Sequence, residues 1–413
     1  MKPQVGIIYL TSADRESIEF QNFSFYLCGV LADTGYAEVH LIPFSFNVDK
    51  SASTDLPRER ITYIPPGLDQ LNTSNIRSVA SADYSFDYFE ALKICDVILI
   101  IALSENLDMV WNKLRNIDFT CTSKNPVIFV IPRGSINISC PDYLYVEKEK
   151  IPIIECCSAF SVIQNDVSLA YMPISIYAPS LIVTRLSKNI EKIASGPCNL
   201  LEATKLRILY RKDLNRHLWG IALCEHIFVL NALHGKRLND IMNSSLLRMA
   251  LACMIRETNG LLERAAGKGK WSVKLESVVE LTPFFLEMLL LSPQFIADPI
   301  LKLFGLPWSK SISANSCIEI TKGLKSTSIN LLEDILKEAK GFRVQDGMPV
   351  CSAVLVALKS IQINQNTRNM AIQNVSKVVD RVSQDGVMEW RLWILRLITL
   401  GFILFIILFV FII

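Results

Sequence analysis

Hydrophobic residues follow two rhythms along this 413-residue chain. Up to residue 186, short apolar runs alternate with stretches of helical spacing. Val5–Leu10, Asp96–Leu103 (DVILIIAL) and Val127–Ile131 are nearly continuous apolar runs, the pattern of strands buried on both faces. Ala37–Pro43 predicts another strand, as do Ile151–Cys156, Ser168–Ile176 and Leu181–Leu186. Between them, Ser17–Leu31 carries Phe20, Phe23, Leu27, Val30 and Leu31 at helical spacing. Leu107–Ile117 does the same with Leu107, Val110, Trp111 and Leu114, and Phe86–Ile94 also reads as helical. Polar, proline-bearing Asp49–Ser81 predicts a long loop with one short strand at Ile61–Ile64. The alternation predicts a parallel sheet covered on both faces.

Gly196 and Pro197 punctuate the chain at Ser195–Cys198, and the rhythm then becomes helical. Leu206–Leu233 predicts one long helix ending near Gly235. Leu246–Ala266, Val278–Leu291, Ser316–Leu324, Asn330–Ala339 and Val350–Ile361 predict further helices in an all-α region. Asn364–Gln384 is more polar, with a narrow seam of Val375, Val378, Val379 and Val382, and predicts a juxtamembrane stalk helix able to pair with itself.

The segment Leu397–Ile413 (LITLGFILFIILFVFII) has no charge. At about 1.5 Å per residue it spans roughly 26 Å as a helix, slightly less than a hydrocarbon core of about 30 Å. Leu392–Leu395 extends it if Arg396 snorkels to the headgroups. Thr399 is the only polar side chain after Arg396, whereas a helix on a soluble core would show a polar stripe. Arg391 and Arg396 flank the N-terminal side, which places the preceding residues in the cytosol. Trp390 and Trp393 suit the interface. The expected organisation is therefore an α/β domain at 1–190, an all-α domain at 200–363, a stalk at 364–389 and a transmembrane tail anchor at 392–413. In a eukaryote the endoplasmic reticulum is the favoured membrane.

Composition narrows the chemistry. The 42 basic and 40 acidic residues leave no surplus of positive charge for a nucleic-acid partner. Eleven cysteines without a C-x-x-C pair predict reduced, mostly buried thiols. Val5–Leu10 is too short for the apolar core of a signal peptide, so the sequons at Asn22, Asn72, Asn137, Asn243 and Asn374 are expected to be unused. His40, His217, His226 and His234 have no spacing that suits a metal, and none is expected. There is no G-x-S-x-G and no Walker A sequence. Gly267-Lys268-Gly269-Lys270 follows a predicted helix and reads as a solvated turn. Arg207, Arg211, Lys212 and Arg216 read as the solvated face of a helix. Arg133, beside Gly134 at a strand end, reads either as a surface residue or as a cation able to hold a phosphate or carboxylate.

Several segments, in order, resemble ketopantoate reductase (2-dehydropantoate 2-reductase). Cys95–Leu103 is similar to that family's strand ahead of a cofactor-facing lysine, and Phe129–Ile136 (FVIPRGSI) to its strand before an Asn-Gly loop. Leu230–Gly235 (LNALHG) is similar to the turn closing its first long C-terminal helix. Ser316–Asn330 and Gly347-Met348-Pro349 match two later segments in spacing. Across roughly residues 4–360 the resemblance implies a Rossmann-like α/β domain followed by an all-α domain, and a dimer is compatible with it. It also implies NADP as cofactor. Yet the G-x-G-x-x-G expected after the first strand is replaced by Tyr9–Asp14, with Thr11 and Ser12 where glycines would cradle pyrophosphate. The cofactor-facing lysine aligns with Leu103, the Asn with Arg133, the catalytic lysine with Gly220 and the substrate-binding Glu with Ser328. Lys212, a little over two turns upstream of Gly220, is the alternative acid.

Three expectations follow. The first is a ketopantoate-reductase-like pseudoenzyme without cofactor, binding or scaffolding at a bilayer with membrane-protein partners or a second copy. The second is an NAD(P)-dependent oxidoreductase acting on a 2-oxo acid, with Thr11, Ser12, Arg133 and Gly134 at the cofactor and Lys212 as catalytic acid. The third is a structural protein of unrelated α/β plus α build.

Overall fold

In a computed structural model the described residues are 2–10, 18–44, 61–63, 77–79, 82–84, 92–103, 106–117, 126–136, 140–146, 149–164, 170–175, 179–184, 188–265, 282–295, 297, 315–324, 326–343 and 347–384. The α/β part contains β1 (Gln4–Leu10), α1 (Ile18–Asp33), β2 (Glu38–Phe44), β3 (Ile61–Tyr63), β4 (Arg77–Val79), β5 (Ala82–Tyr84) and β6 (Val97–Leu103). Then come α2 (Leu107–Leu114), β7 (Val127–Arg133), β8 (Tyr143–Val146), β9 (Glu149–Ser158), β10 (Phe160–Gln164), β11 (Tyr171–Ser175) and β12 (Ser180–Thr184). It closes with α3 (Lys188–Glu202) and β13 (Arg207–Arg211).

The main sheet has nine strands in the order β13-β12-β9-β7-β6-β1-β2-β5, with β8 beside β9. From β5 through β9 the pairing is parallel, as the continuous apolar runs predict. Beyond β9 the sheet departs from expectation, because β12 and β8 both run antiparallel to β9. The chain between β9 and β12 is spent on β10 and β11, which leave for a second sheet. No crossover helix remains to bring β12 in parallel.

That second sheet, β10-β11-β3-β4, covers α1 on the side away from the main sheet. Its consequence is legible in α1 itself, where residues from Glu19 through Ala32 are buried save Gln21. A helix apolar all round has no solvent side. Aromatic pairs lock the layers: Phe23 with Phe160 at 5.0 Å, Phe25 with Tyr171 at 5.4 Å, and Tyr26 edge-on to Tyr63 at 6.0 Å between centroids. On the opposite face, α2 seats Leu107, Val110, Trp111 and Leu114 against the sheet.

The long helix expected at Leu206–Leu233 is divided. Arg207–Arg211 pairs with β12 as β13, and α4 (Leu214–His234) begins only after Asp213, whose carboxylate accepts from Arg216 N–H. Arg207 and Arg211 therefore lie on an edge strand rather than a helix face. Pro197 lies inside α3, so Ser195–Cys198 is not the break that it resembles in sequence.

The helical part adds α5 (Leu238–Asn243), α6 (Ser245–Ala265), α7 (Pro283–Leu291), α8 (Asn315–Thr321), α9 (Thr327–Gly341), α10 (Pro349–Ile363) and α11 (Arg368–Ser383). Two compact units result: Met1–Ala222 with Lys322–Leu331, and Leu223–Thr321 with Leu332–Ile413. In the second unit the buried Glu257 carboxylate accepts from the N–H groups of Val350 and Cys351 (2.9 Å each), satisfying the start of α10. Of the valine seam expected to pair with another copy, Val375 and Val379 are buried with Ala371 where α11 packs on α6 and α10, while Val378 and Val382 are half-buried. Among the described residues no helix is long and apolar enough to cross a membrane, and the expected transmembrane segment 392–413 lies outside them. Eight of the ten described cysteines are buried.

The LNALHG turn shows why its glycine matters. Gly235 has φ +65°, and Arg368 donates across it to the carbonyls of Ala232 (3.0 Å) and Leu233 (3.2 Å), capping α4. A Cβ on Gly235 would meet Arg368 Nη1 at 2.6 Å. Gly235→Ala is expected to destabilise the chain by about 1–3 kcal/mol through strain and loss of this cap, as read from its denaturation midpoint.

Candidate functional site

In an open α/β sheet the crevice for ligands lies beyond the strand carboxyl ends, where strand order reverses. Here the order reverses at β1, with β2 on one side and β6 followed by β7 on the other. The parts around that position are α1, the ends of β6 and β7, and the segment entering α9. Leu103 and Arg133, the terminal residues of β6 and β7, are paired in register. Gly134 follows with φ +66°, a left-handed conformation that lets the chain turn sharply away.

Arg133 is buried, with 4% of its surface exposed, and its guanidinium is engaged by several partners. Nη1 donates to the Ser158 carbonyl (3.2 Å), the Phe160 carbonyl (3.0 Å) and the Ser158 hydroxyl. Nη2 donates to Ser161 Oγ (2.8 Å) and forms an ion pair with Glu19. The guanidinium carbon also lies 5.4 Å from the Phe23 ring centre. Ser158 and Ser161 are available because the chain passes from β9 to β10 through Ala159, leaving one sheet for the other.

Glu19 lies in the first turn of α1 and is as buried as its partner. Its Oε1 accepts from Arg133 and from the Ser161 hydroxyl (3.0 Å), and its Oε2 accepts from the Thr327 hydroxyl (2.7 Å). Burial alone would raise the Glu19 carboxyl pKa. The Arg133 charge and the donors Arg133, Thr327 and Ser161 outweigh it and hold the group below its ordinary value. The carboxylate is thus ionised, and the first turn of a helix is where negative charge is stabilised.

The network joins positions that the sequence assigned to separate tasks. Arg133 stands at the Asn of the expected Asn-Gly loop. Thr327 neighbours Ser328, the position aligned with the substrate-binding Glu, and Ser328 is itself buried. Arg133 does hold an anion, as its chemistry suggested, but the anion is the chain's own. Of the other expected site residues, Lys212 is exposed in the turn between β13 and α4, and Gly220 is buried within α4. Thr11 and Ser12 lie outside the described residues. Among the described residues no group of His, Cys, Asp and Glu could hold a metal ion.

Glu19, Ser158 and Ser161 were not anticipated. Their signal was weak but present. Glu19 is the one charged residue in the aromatic-rich helical run from Ile18 to Leu31, and a charge buried there needs a partner. Arg133, ending the apolar VIFVIPR strand, is the matching cation.

The sequence matches no known family model and no curated protein. Solved structures do match. A ketopantoate reductase of the PanE/ApbA family from Ralstonia eutropha JMP134 superposes with TM-score 0.55 at 11% identity, covering 87% of this chain and 100% of its own. The fold is that of ketopantoate reductase. The dimeric ketopantoate reductase of Staphylococcus aureus gives TM-score 0.50 at 13% identity, covering 87% of this chain and 99% of its own. D-mandelate dehydrogenase, solved with NADH and anilino(oxo)acetate, gives TM-score 0.55 at 12% identity over 88% of this chain and 99% of its own. The ketopantoate reductase fold thus extends over most of the chain, at identities too low to carry site residues across.

Proposed function

We propose that this chain is a non-catalytic protein of ketopantoate reductase fold that acts as a binding or scaffolding module on the cytosolic face of a membrane. One observation carries the non-catalytic part. Arg133, the cation that the sequence offers to a cofactor phosphate, is already paired with Glu19 and held with three hydroxyls, which supports a site not built for cofactor. A pyrophosphate approaching that helix end would meet a buried, ionised carboxylate. The apolar segment 392–413 supports the membrane part, with endoplasmic reticulum favoured in a eukaryote. Partners would be other membrane proteins or a second copy of the chain.

A second reading rests on the fold shared with D-mandelate dehydrogenase, a structure solved with NADH. It makes the protein a membrane-bound NAD(P)-dependent oxidoreductase of a 2-oxo acid, with Arg133 and Gly134 at the cofactor and Lys212 as proton donor. A thermal-shift titration of the full chain in detergent with NADPH and NADH separates the two. The non-catalytic reading expects no change in melting temperature up to millimolar cofactor. Micromolar binding would raise the melting temperature by several degrees at saturation and would overturn it.

A further inference from the structure

We infer that Phe284, Phe285 and Phe342 form an aromatic face that seats the helical unit on the bilayer interface. This rests on the proposed membrane role and deepens it by naming the residues that touch lipid. All three lie in the second compact unit, together with α6, α7, α10, α11 and the part of α9 from Leu332 onward.

Contacts within that unit bring several helix ends to one level. Val350 and Cys351 donate to Glu257, and Cys351 Sγ lies 4.0 Å from the Met254 carbonyl oxygen, so α10 starts beside the Met254–Glu257 turn of α6. α11 begins at Arg368, shortly after α10 ends at Ile363, and packs back along it. Its last residue, Ser383, therefore returns to the level of Pro349. α9 also runs against α10, since Glu333 pairs with Lys359. Phe342, just past α9, thus arrives near the start of α10. α7 packs along α6, and Gln294, just past its end, donates to Asn243 Oδ1 (2.8 Å), just before α6 begins. Counting back from Gln294 at about 1.5 Å per residue places the start of α7 roughly 16 Å up α6, again near Met254.

Phe284, Phe285 and Phe342 stand exposed at this level, by 51%, 44% and 48%. Exposure alone does not choose it, because Phe295, Ile363 and Met370 are exposed by 61%, 86% and 61% at the opposite end. The exit of the chain does choose it. Residues 384–391 alone join Ser383 to the expected span at Leu392. Fully extended, they reach roughly 30 Å at most. An inserted 392–413 would therefore hold the end bearing the three phenylalanines close to the headgroups. Exposed aromatic rings gain there by leaving water for the boundary between headgroups and acyl chains. The last turns of α6, α9 and α11 carry Arg264, Lys340 and Arg381. Glu263, Glu338 and Asp380 stand beside them in sequence, so these charges balance and the contact calls for no anionic lipid.

The test is photo-cross-linking of the full chain reconstituted into phosphatidylcholine vesicles. p-Benzoylphenylalanine takes the place of Phe284, Phe285 or Phe342, and in control chains the place of Phe295, Ile363 or Met370. All these positions are exposed, where a substitution leaves the fold intact. After irradiation, mass spectrometry reads the lipid joined to each labelled peptide. Lipid adducts are expected from positions 284, 285 and 342, with loss of the signal to background at 295, 363 and 370. Equal labelling at both ends, or labelling at the opposite end alone, overturns the inference. Adducts that form only when phosphatidylserine is added overturn its neutral-lipid assignment. Carbonate extraction of the same vesicles separates this inference from the membrane reading. A chain that stays in the pellet but gives no adducts at 284, 285 and 342 sinks the aromatic face alone. A chain that carbonate releases sinks the anchor, and the inference falls with it.

Discussion

Arg133→Met in the full chain is expected to lower stability by about 3–5 kcal/mol, the cost of leaving a buried charge without its partner. Glu19 would then sit in a dry environment with the Ser161 and Thr327 hydroxyls as its remaining donors from the network. Glu19→Gln alone removes the carboxylate paired with Arg133 and should be similarly damaging. The double variant Glu19→Gln/Arg133→Met should recover most of the loss. Its neutral amide still accepts from Thr327, and methionine fills the volume near Phe23 without a charge. Urea denaturation of the four proteins gives the coupling energy directly. Additive losses would show that the pair acts as two unrelated contacts.

The same pair fixes a pH dependence. The folded pKa of Glu19 is depressed, and the unfolded carboxyl titrates near about 4.3. The stabilisation by Glu19 is therefore complete above that unfolded value. It is lost as pH falls through the lower, folded value, because the unfolded state then binds the proton more readily. The double neutral variant lacks this acid-dependent loss. Comparing the two between about pH 5 and pH 2 isolates the Glu19 contribution.

Much of the architecture could be read from periodicity, and the exceptions have physical causes. Val5–Leu10, Val97–Leu103 and Val127–Ile131 are continuous apolar runs because each strand is covered on both faces. Nothing in Phe160–Gln164 or Arg77–Val79 signals the small second sheet, since its strands are short and gain their place by covering α1. The true sign of that cover is in α1 itself, whose aromatic residues occur on every side. Arg207–Arg211 shows tertiary pairing overriding local preference: RILYR suits a helix by composition, yet an open sheet edge beside β12 recruits it. The buried Glu19–Arg133 network was half legible. Arg133 reads in sequence as a surface residue or an anion-holding cation, and that it meets the Glu19 carboxylate depends on α1 and β10 coming together in space. Sequence spacing does not encode that. Glu19 and Arg133 are separated by more than a hundred residues.

If the proposed anchor holds the chain in a bilayer, two arginines placed within the apolar segment, Ile403→Arg and Ile407→Arg, are expected to make it extractable. Leu397–Ile413 contains fifteen Leu, Ile, Phe or Val residues in seventeen positions. At roughly −0.3 to −0.6 kcal/mol each, insertion is favourable by about 4–9 kcal/mol. Each central arginine costs about 2.5–3.5 kcal/mol and also removes one favourable residue. Two of them cancel most or all of the driving force. Arg396 does not oppose insertion in the parent, because a terminal arginine can reach the headgroups. The measurement is partition between pellet and supernatant after alkaline carbonate extraction. The parent should remain in the pellet, and the double-arginine chain should move to the supernatant with its folded units unchanged in melting temperature. A parent chain extracted by carbonate would remove the bilayer from the proposal. The proposed binding role would then rest on the folded units alone.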